Sequence, residues 1–306
     1  MPELPEVQTT VKGLNETVVG LKIETVWTDY KSEAYEDKDE IKNPSYFGFF
    51  KRMVIGRTIK KADRIGKNVL LRLNDNSTIL IHMKMTGHLL YGVYKQKTKT
   101  GVWVSDNKGP LRDDSFNRYI HLVFSLSNGK QLVLSDMRTF AKVTFIPKEG
   151  TATSKHLSEI AIDPLSPLFI LDLFSHILDA KPETKVKQIL LDQSLVSGIG
   201  NIYADESLFR SGIHPCALAK NISTQARSTL LNNIKRVLAG GVDLGNDPSS
   251  DYRDIHGNRA LFKEERLVYR KKGEICMKPR CTGIITSIVV GGRTSSFCPV
   301  HQKMVS

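Results

Sequence analysis

The chain has little of what would mark several whole classes of protein. Its 306 residues include only four cysteines and two tryptophans. It has no apolar run of about 18 residues, so we predict no membrane-spanning helix. The start lacks a basic segment followed by an apolar one, and we expect no secretory signal peptide. Three of the four cysteines cluster near the C-terminus, which excludes a disulfide framework.

Acidic residues are also in deficit. The chain carries 32 Asp and Glu against 44 Lys and Arg, a formal net charge of +12. Residues 262–306 alone hold nine Lys or Arg and three Glu. Such a surplus suits a polyanionic partner, either nucleic acid or an acidic membrane surface. The local concentration of basic residues favours nucleic acid.

The N-terminal sequence Met-Pro-Glu-Leu-Pro-Glu is the most informative segment. If Met1 is removed, Pro2 becomes a secondary amine that can attack an electrophilic carbon and form an iminium. Glu3 can supply a proton beside it. Pro5 and Glu6 suit the first turn of a helix, so the segment could also be only a well-capped helix start. Both interpretations can hold, because the positive end of a helix favours the neutral, nucleophilic amine.

The first half of the chain reads mostly as strands packed against one helix. The apolar stripe of that helix consists of Leu4, Val7, Val11, Leu14 and Val18. The predicted strands are 21–27, 58–63, 68–73, 78–83, 120–126, 131–134 and 142–146. This pattern predicts a β-sandwich or barrel over residues 1–146. The polar stretches 29–43 and 93–115 read as irregular surface insertions.

Beyond a linker at 147–153 the pattern becomes helical. The predicted helices are 155–160, 167–178, 186–191, 201–211 and 224–239. A loop rich in Gly, Asp, Asn and Ser follows at 242–261. The sequence therefore predicts a helical domain at 154–261 and a separate C-terminal finger at 262–306.

The cysteine cluster predicts a zinc site. Cys276 and Cys281 form one knuckle, and Cys298 and His301 form the second. Three thiolates and one imidazole match a closed tetrahedral zinc site. Two strands joined by a Gly-Gly turn lie between the knuckles and indicate a β-hairpin. The alternative is three free thiols and a surface histidine.

Two further motifs suit an anionic ligand. Arg293 follows the Gly-Gly turn, where its guanidinium could hold a phosphate or could be an ordinary solvated turn residue. Gly198-Ile199-Gly200-Asn201 opens a helix whose first N–H groups could bind a phosphate. Lys187, on the preceding helix, would face the same phosphate. Gly-x-Gly alone often marks a simple connection.

Together these motifs resemble the formamidopyrimidine-DNA glycosylase family of helix–two-turn–helix enzymes. The carriers are Pro-Glu-Leu-Pro-Glu-Val at the start, Met-Thr-Gly-His-Leu at 85–89, Asp-Met-Arg-Thr-Phe at 136–140, Leu-Asp-Gln at 191–193 with residues 200–206, and the finger with Gly-Gly-Arg. The start favours this branch over the related endonuclease VIII branch, which usually opens Pro-Glu-Gly-Pro-Glu.

The resemblance implies a role for each matching residue. Pro2 would be the nucleophile and Glu3 the acid, with Glu6 in support and with Lys67 and Arg293 as further catalytic residues. Met85, Arg138 and Phe140 would enter the double helix where the damaged base leaves, although core packing would be the default interpretation of Met85 and Phe140. The resemblance makes Lys187, Asn201 and Arg293 phosphate clamps. The four zinc ligands would be Cys276, Cys281, Cys298 and His301.

The implied fold is multidomain α+β: an N-terminal β-sandwich with a packed helix, a helix–two-turn–helix domain and a zinc β-hairpin finger. The implied activity is that of a bifunctional DNA glycosylase and AP lyase of base excision repair. It would remove 8-oxoguanine and formamidopyrimidines from double-stranded DNA, also act at abasic sites, and use a Schiff base followed by β,δ-elimination. One structural Zn²⁺, a monomer with DNA between its domains, no membrane partner and a cytoplasmic, nucleoid-associated location would follow.

The sequence departs from the family pattern in several places. His301 replaces the usual last cysteine, and Gln8 replaces a common glutamate. The loop at 242–261 corresponds to the family's lesion-covering loop, without assignable base contacts. Two alternatives stay open: an endonuclease VIII-like preference for oxidised pyrimidines, and a non-catalytic module that binds damaged DNA.

Overall fold

The computed structural model describes residues 2–150, 154–242, 252–259 and 266–304. The chain divides into two compact units. Unit 1 comprises the residues up to Ser158 together with the segment Val242–Phe262, and unit 2 comprises Glu159–Gly241 and Lys263–Ser306. Among the described residues, no helix combines the length and the apolar character that a membrane crossing demands.

Unit 1 is built mainly from antiparallel strands. Its helices and strands, in chain order, are α1 (Leu4–Thr17), β1 (Ile23–Thr28), α2 (Pro44–Val54), β2 (Ile59–Ile65), β3 (Asn68–Leu73), β4 (Thr78–His82), β5 (His88–Gly92), β6 (Tyr94–Gln96), β7 (Trp103–Ser105), α3 (Pro110–Asp113), β8 (Ile120–Leu126), β9 (Gln131–Ser135) and β10 (Lys142–Ile146).

Two four-stranded sheets within the described residues of unit 1 form the predicted sandwich. One has the order β1-β8-β9-β5 and the other β10-β4-β3-β2, and every pairing is antiparallel. The apolar stripe of α1 is buried in the same core as the inward faces of these strands. This burial confirms the predicted helix and shows why its apolar residues recur every three or four positions.

Several local predictions for unit 1 were wrong. Residues 44–54, for which no helix was predicted, form α2, where the Asn43 side chain accepts hydrogen bonds from the Ser45 and Tyr46 N–H groups. The insertion predicted to be irregular contains β6, β7 and α3. The helix predicted at 155–160 is a set of turns, since so short a segment does not offset the cost of helix nucleation.

The segment 252–259, which we name the strap, belongs to unit 1, although the predicted boundaries placed it in the helical domain. The Tyr252 hydroxyl lies 2.8 Å from Thr10 Oγ1 on α1. Arg253 is 1% exposed and donates to both Asp114 carboxylate oxygens, at 2.8 and 3.2 Å. These long-range contacts are invisible to local sequence patterns. The rest of the predicted loop 242–261, except Val242, lies outside the described residues.

The described residues of unit 2 form helices and a hairpin. Its elements are α4 (Leu171–Asp179), α5 (Val186–Leu191), α6 (Asn201–Arg210), α7 (Thr224–Gly241), β11 (Thr286–Val290) and β12 (Arg293–Phe297). The β11–β12 turn is Gly291-Gly292, and both glycines have positive φ angles of 53° and 73°, as two-residue hairpin turns require. The hairpin was predicted with nearly the same strand limits.

Candidate functional site

The start of α1 holds three of the predicted catalytic groups in a buried setting. Pro2 is buried, and Glu3 and Glu6 are 3% and 4% exposed. The Glu3 N–H donates to Glu6 Oε2 at 2.7 Å, the reciprocal pairing of a capping box. Glu6 therefore fixes the backbone that joins Pro2 to α1. A terminal amine at this point would lie at the positive end of a 14-residue helix.

Lys67 follows Gly66 in the turn between β2 and β3 and is only 7% exposed. Arg64, on β2, braces this turn: its Nη1 donates to the Gly66 carbonyl at 3.0 Å, and its Nε donates to Gln8 Oε1 on α1 at 2.9 Å. Gln8, noted above as a departure from the family, thus ties the Lys67 turn to the helix that carries the N-terminal groups.

His82 at the end of β4 lies in the field of Lys67. Burial is the largest of the effects that lower the pKa of the imidazole to about 3, and the positive charges of Lys84 and Lys67 lower it further. The Lys84 N–H donates to His82 Nδ1 at 3.0 Å, which requires an unprotonated nitrogen. His82 is therefore neutral at ordinary pH.

The buried carboxylate of Asp136 organises the segment that carries Arg138 and Phe140. Asp136 is 0% exposed. Its Oδ1 accepts from Thr86 Oγ1 at 2.5 Å, and its Oδ2 accepts from the Ala141 N–H at 2.7 Å. The Arg138 N–H donates to Thr86 Oγ1 at 3.0 Å. The network therefore brings the segment after β9 to the turn that contains Met85, the residue before Thr86.

The three residues predicted to enter DNA are not core residues. Phe140 is 49% exposed and Arg138 is also exposed, with its guanidinium carbon 4.6 Å from the Phe140 ring centroid. Met85 is half-buried. Thr139 between the two exposed residues has a φ of 55°, which a β-branched residue rarely adopts. An exposed aromatic ring on a strained, hydrogen-bonded loop is available to a ligand.

In unit 2, two residues that were predicted to bind phosphate donate hydrogen bonds to the backbone carbonyl of Thr294. Lys187 Nζ lies 3.3 Å from this oxygen and Asn201 Nδ2 lies 2.8 Å from it. Arg293, the neighbour of Thr294, is exposed at the hairpin tip. A side chain at Gly291 would come within 2.9 Å of Gln188 on α5, so the tip packs closely on that helix. Lys187 and Asn201 thereby fix the backbone from which Arg293 projects.

Lys187, expected to be a phosphate clamp, is buried in the structure. Its side chain is 0% exposed, and its Nζ donates to Asp205 Oδ1 at 2.6 Å. Asp205 also accepts from Ser295 Oγ at 2.7 Å and from the Ser296 N–H at 2.9 Å. A buried ammonium paired with a buried carboxylate is not a surface contact for phosphate. Lys187 and Asp205 together contact three consecutive residues of β12, Thr294, Ser295 and Ser296.

The turn before α6 is held by Gln193. Its Oε1 accepts from the Gly198 N–H at 2.9 Å, and its Nε2 donates to the Ile199 carbonyl at 2.9 Å. Gly198 has a φ of 87°, which glycine adopts readily. The two hydrogen bonds of the Gln193 side chain thus stabilise the predicted Gly-x-Gly turn, which directly precedes the ten-residue helix α6.

Three cysteines form a cluster that suits a metal ion. The Sγ atoms of Cys276, Cys281 and Cys298 all lie within 4.8 Å of one another, and those of Cys281 and Cys298 are 3.6 Å apart. Thiolates bound to a tetrahedral zinc at about 2.3 Å would be about 3.8 Å apart. The cysteines are not paired in disulfides. The donor set and spacing fit zinc.

His301 is not gathered into that cluster, which differs from the predicted four-ligand set. Its Nε2 lies 2.7 Å from the Phe209 carbonyl, and its ring packs edge-on against the Phe209 ring. Its N–H donates to Cys298 Sγ at 3.4 Å. The imidazole is therefore directed at α6, while the backbone of the same residue supports a ligand sulfur.

Sequence reasoning missed the buried acids that hold these groups. Asp136, Asp205 and Glu206 are each at most 3% exposed. Glu206 accepts from the N–H groups of residues 267, 268 and 269 at 3.0–3.1 Å, so it anchors the start of the finger to α6. The available signal was the pair Asp205-Glu206 within a helix where neighbouring residues are apolar, because buried charges require partners.

The chain is similar to known proteins in both of its parts and over its full length. Residues 1–143 match the family model of the formamidopyrimidine-DNA glycosylase N-terminal domain, and residues 160–253 match that of its H2TH domain. Formamidopyrimidine-DNA glycosylase of Pelotomaculum thermopropionicum is 33% identical over 304 residues, covering 99% of this chain and 100% of the relative. The enzyme of the same name from Halalkalibacterium halodurans is 34% identical over 303 residues, with coverage of 99% and 100%.

Solved structures agree in fold. The Lactococcus lactis Fpg bound to DNA with an abasic site gives a TM-score of 0.80 at 28% identity, covering 98% of this chain and 99% of that one. The wild-type protein from the same organism, bound to DNA with an N7-benzyl-Fapy-dG, gives 0.78 at 28% identity, with coverage of 99% and 100%.

Proposed function

The chain belongs to the formamidopyrimidine-DNA glycosylase family, and on that premise we propose that Pro2 is the nucleophile of its reaction. The protein is a DNA glycosylase and AP lyase of base excision repair. Its substrate is double-stranded DNA that contains oxidised purines, 8-oxoguanine and formamidopyrimidines, or abasic sites. The observation that carries the proposal is the buried start of α1, where Glu6 fixes the backbone between Pro2 and the helix.

The chemistry needs Pro2 as the first residue, with Met1 removed; Met1 lies outside the described residues. The proline nitrogen forms a bond to C1′ of the damaged nucleotide while the bond from C1′ to the base breaks. Glu3 donates a proton to the ring oxygen, and the sugar opens to an iminium. Loss of both phosphates by successive β- and δ-elimination then cleaves the strand on both sides. Hydrolysis of the iminium returns the free proline.

Extrusion of the damaged nucleotide leaves a gap in the base stack. Unstacking costs a few kcal/mol, which groups that fill the gap can offset. The exposed Phe140 ring and the Arg138 guanidinium beside it supply an aromatic surface and hydrogen-bond donors. Met85, on the neighbouring turn, supplies a flexible apolar side chain.

Phosphate contacts belong to both units. Lys67 would pair with a phosphate near the lesion, and Arg293 would hold another bidentately. Asn201 and Lys187 place the Arg293 backbone through the Thr294 carbonyl. Such contacts supply salt-dependent affinity and register with little lesion choice.

The metal bound by Cys276, Cys281 and Cys298 is a structural Zn²⁺ in this proposal. It supplies no step of the reaction. Cys276 and Cys281 precede the hairpin, and Cys298 directly follows β12. A metal bound by all three would therefore hold the two ends of the hairpin together and keep the hairpin that carries Arg293 folded. His301 stands next to the site, although its ring is directed at Phe209. With chromosomal DNA as substrate, the protein would work in the nucleoid region of a bacterial cytoplasm.

Borohydride trapping tests the proposal. Incubation with a duplex that contains 8-oxoguanine should give a covalent complex, since borohydride reduces the iminium to a stable amine. Pro2→Gly should trap far less, and Pro5→Ala, a matched change three residues later, should trap like the wild type. A wild type that cannot be trapped, or a Pro2→Gly variant that traps equally well, would refute the nucleophile. A thymine glycol duplex in parallel tests the preference for oxidised purines.

A further inference from the structure

Residues 93–118, which we name the arm, comprise the predicted insertion 93–115 and the three residues after it, and they have no part in the function proposed above. It contains β6, β7 and α3. Its 26 residues include six Lys or Arg and three Asp. All six basic side chains are exposed: Lys95, Lys97, Lys99, Lys108, Arg112 and Arg118. The arm therefore carries a net charge of +3, and its basic side chains face the solvent.

The inner face of the arm is fixed by buried polar contacts. Asp114 binds the guanidinium of Arg253 in the strap, and that guanidinium also lies over the Phe116 ring at 4.8 Å. Asn117 is 1% exposed and donates to the Gly257 carbonyl at 2.9 Å. These contacts hold the backbone of the C-terminal part of the arm, which also carries the exposed Arg112 and Arg118.

The outer face contains a cavity of about 420 Å³. Three cationic side chains line it: Lys97, Arg112 and Arg118. The apolar part of the lining includes Trp103, Val102 and Leu111. The single carboxylate in the lining, Asp113, accepts from Arg112 Nε at 3.2 Å. The cavity thus joins a surplus of positive charge to an indole surface.

The arm adjoins the segment proposed to enter DNA. The Phe116 carbonyl accepts from Ser135 Oγ at 2.7 Å, and the Tyr119 carbonyl, directly after the arm, accepts from the Asp136 N–H at 2.8 Å. Asp136 is the carboxylate that organises the Arg138 loop. DNA held by that loop would pass close to the arm.

We propose that the arm cavity binds one nucleotide, with its phosphate on Arg112, Arg118 and Lys97 and its base against Trp103. Guanidinium groups bind phosphate bidentately, and bases stack on aromatic side chains in sequence-tolerant sites. The cavity volume lies in the range of small-ligand sites, roughly 300–1,000 Å³. The nucleotide could belong to an unpaired stretch of bound DNA or be free in solution. The first source rests on the proposed function.

Tryptophan fluorescence tests this site directly. The chain has two tryptophans, Trp27 and Trp103, and their rings lie 5.9 Å apart. In a Trp27→Phe variant of the full chain, the signal comes from Trp103 alone. Deoxyadenosine monophosphate or a short oligo(dA) strand should quench it, whereas inorganic phosphate should not. Arg112→Gln and Arg118→Gln should each weaken binding about ten- to a hundredfold. The matched exposed changes Lys22→Gln and Lys148→Gln should have no effect.

The two sources separate by affinity. Much tighter binding of the strand than of the mononucleotide identifies DNA, and comparable binding identifies a free nucleotide; either supports the site. Absence of quenching by both probes, or quenching that survives in Arg112→Gln/Arg118→Gln, overturns it. Borohydride trapping of the same variants on the lesion duplex separates failure of this proposal from failure of the proposed function. Trapping reports the reaction of Pro2, so its yield at saturating enzyme should stay near the wild-type value even if the cavity binds no nucleotide.

Discussion

The start of α1 and the base of the β11–β12 hairpin hold functional groups in opposite ways. At α1, Pro2, Glu3 and Glu6 lie within five consecutive residues, and the contact between the Glu3 N–H and Glu6 spans three positions. At the hairpin, Lys187 and Asp205 reach Thr294, Ser295 and Ser296 across about a hundred residues of chain. One site is local, and the other exists only in the folded protein.

The difference shows what each site tolerates. A local site depends on a helix start, and its chemistry can fail while the fold persists. A non-local site depends on buried charges that need each other, so removal of one partner leaves the other uncompensated. We therefore expect changes at α1 to alter the reaction and changes at the hairpin base to alter stability.

Loss of a cysteine from the metal cluster should have the largest effect. Like the base of the hairpin, the cluster is non-local, because its cysteines are up to 22 residues apart. Cys298→Ser should abolish zinc binding, because structural zinc sites contribute about 10–16 kcal/mol of binding free energy. Cys216→Ser, outside the cluster, is the matched control. Metal analysis of the purified variants measures the result. His301→Ala should keep its zinc but release it faster to a chelator; complete loss there would restore the imidazole as fourth ligand.

Glu3→Gln tests the local side. The variant should lose about 10²- to 10⁴-fold in excision rate, the usual contribution of a general acid. Binding to an uncleavable abasic analogue and the unfolding temperature should stay near wild type. Glu16→Gln, an exposed glutamate on the same helix, should retain full activity in single-turnover assays. A large drop in unfolding temperature would make Glu3 a structural residue instead.

Lys187→Met tests the non-local side. Loss of the ammonium leaves Asp205 buried without its ion pair, and the free energy of unfolding should fall by about 3–5 kcal/mol. The double variant Lys187→Met/Asp205→Leu should recover much of that loss in urea unfolding. A stable single variant whose DNA affinity loses about one unit of salt slope would instead support the original expectation of a phosphate contact.

His82 should give the smallest effect. Its pKa is lowered to about 3 in the folded protein, while the unfolded chain binds the proton near pH 6.5. The contribution of His82 to the free energy of unfolding is therefore fully present above pH 6.5. It decreases as the pH drops toward 3, by at most about 1.4 kcal/mol per pH unit. In urea unfolding at pH 7 and 5, His82→Gln should lack this part of the loss. His256→Gln, which is exposed, should behave like the wild type.

The same contrast decides what the sequence could predict. The α1 stripe, seven of the eight sandwich strands and the glycine hairpin follow from local periodicity and turn residues, and the structure confirms them. Strand β5 was not predicted. The helix α2 was missed although Asn43-Pro44 is a helix-start signal, because its apolar residues gave no clear stripe. The burial of Lys187 was not predicted because its partner Asp205 is 18 residues away and the contact with Thr294 depends on the hairpin. The arm and the strap contact each other through Asp114 and Arg253, which are 139 residues apart. The local sequence of either segment does not predict this contact.

The strap also sets the order in which a ribosome could deliver a finished unit 1. Asp114 leaves the ribosome 139 residues before Arg253, its partner. Until then, the carboxylate that will meet a buried guanidinium stays in water, and the Thr10 side of α1 lacks the Tyr252 ring. Translation proceeds at about 5–20 residues per second. The nascent sandwich therefore waits for roughly 7–30 seconds before its last piece emerges, and a chain released early in that interval would carry every catalytic residue of unit 1 on an incomplete core.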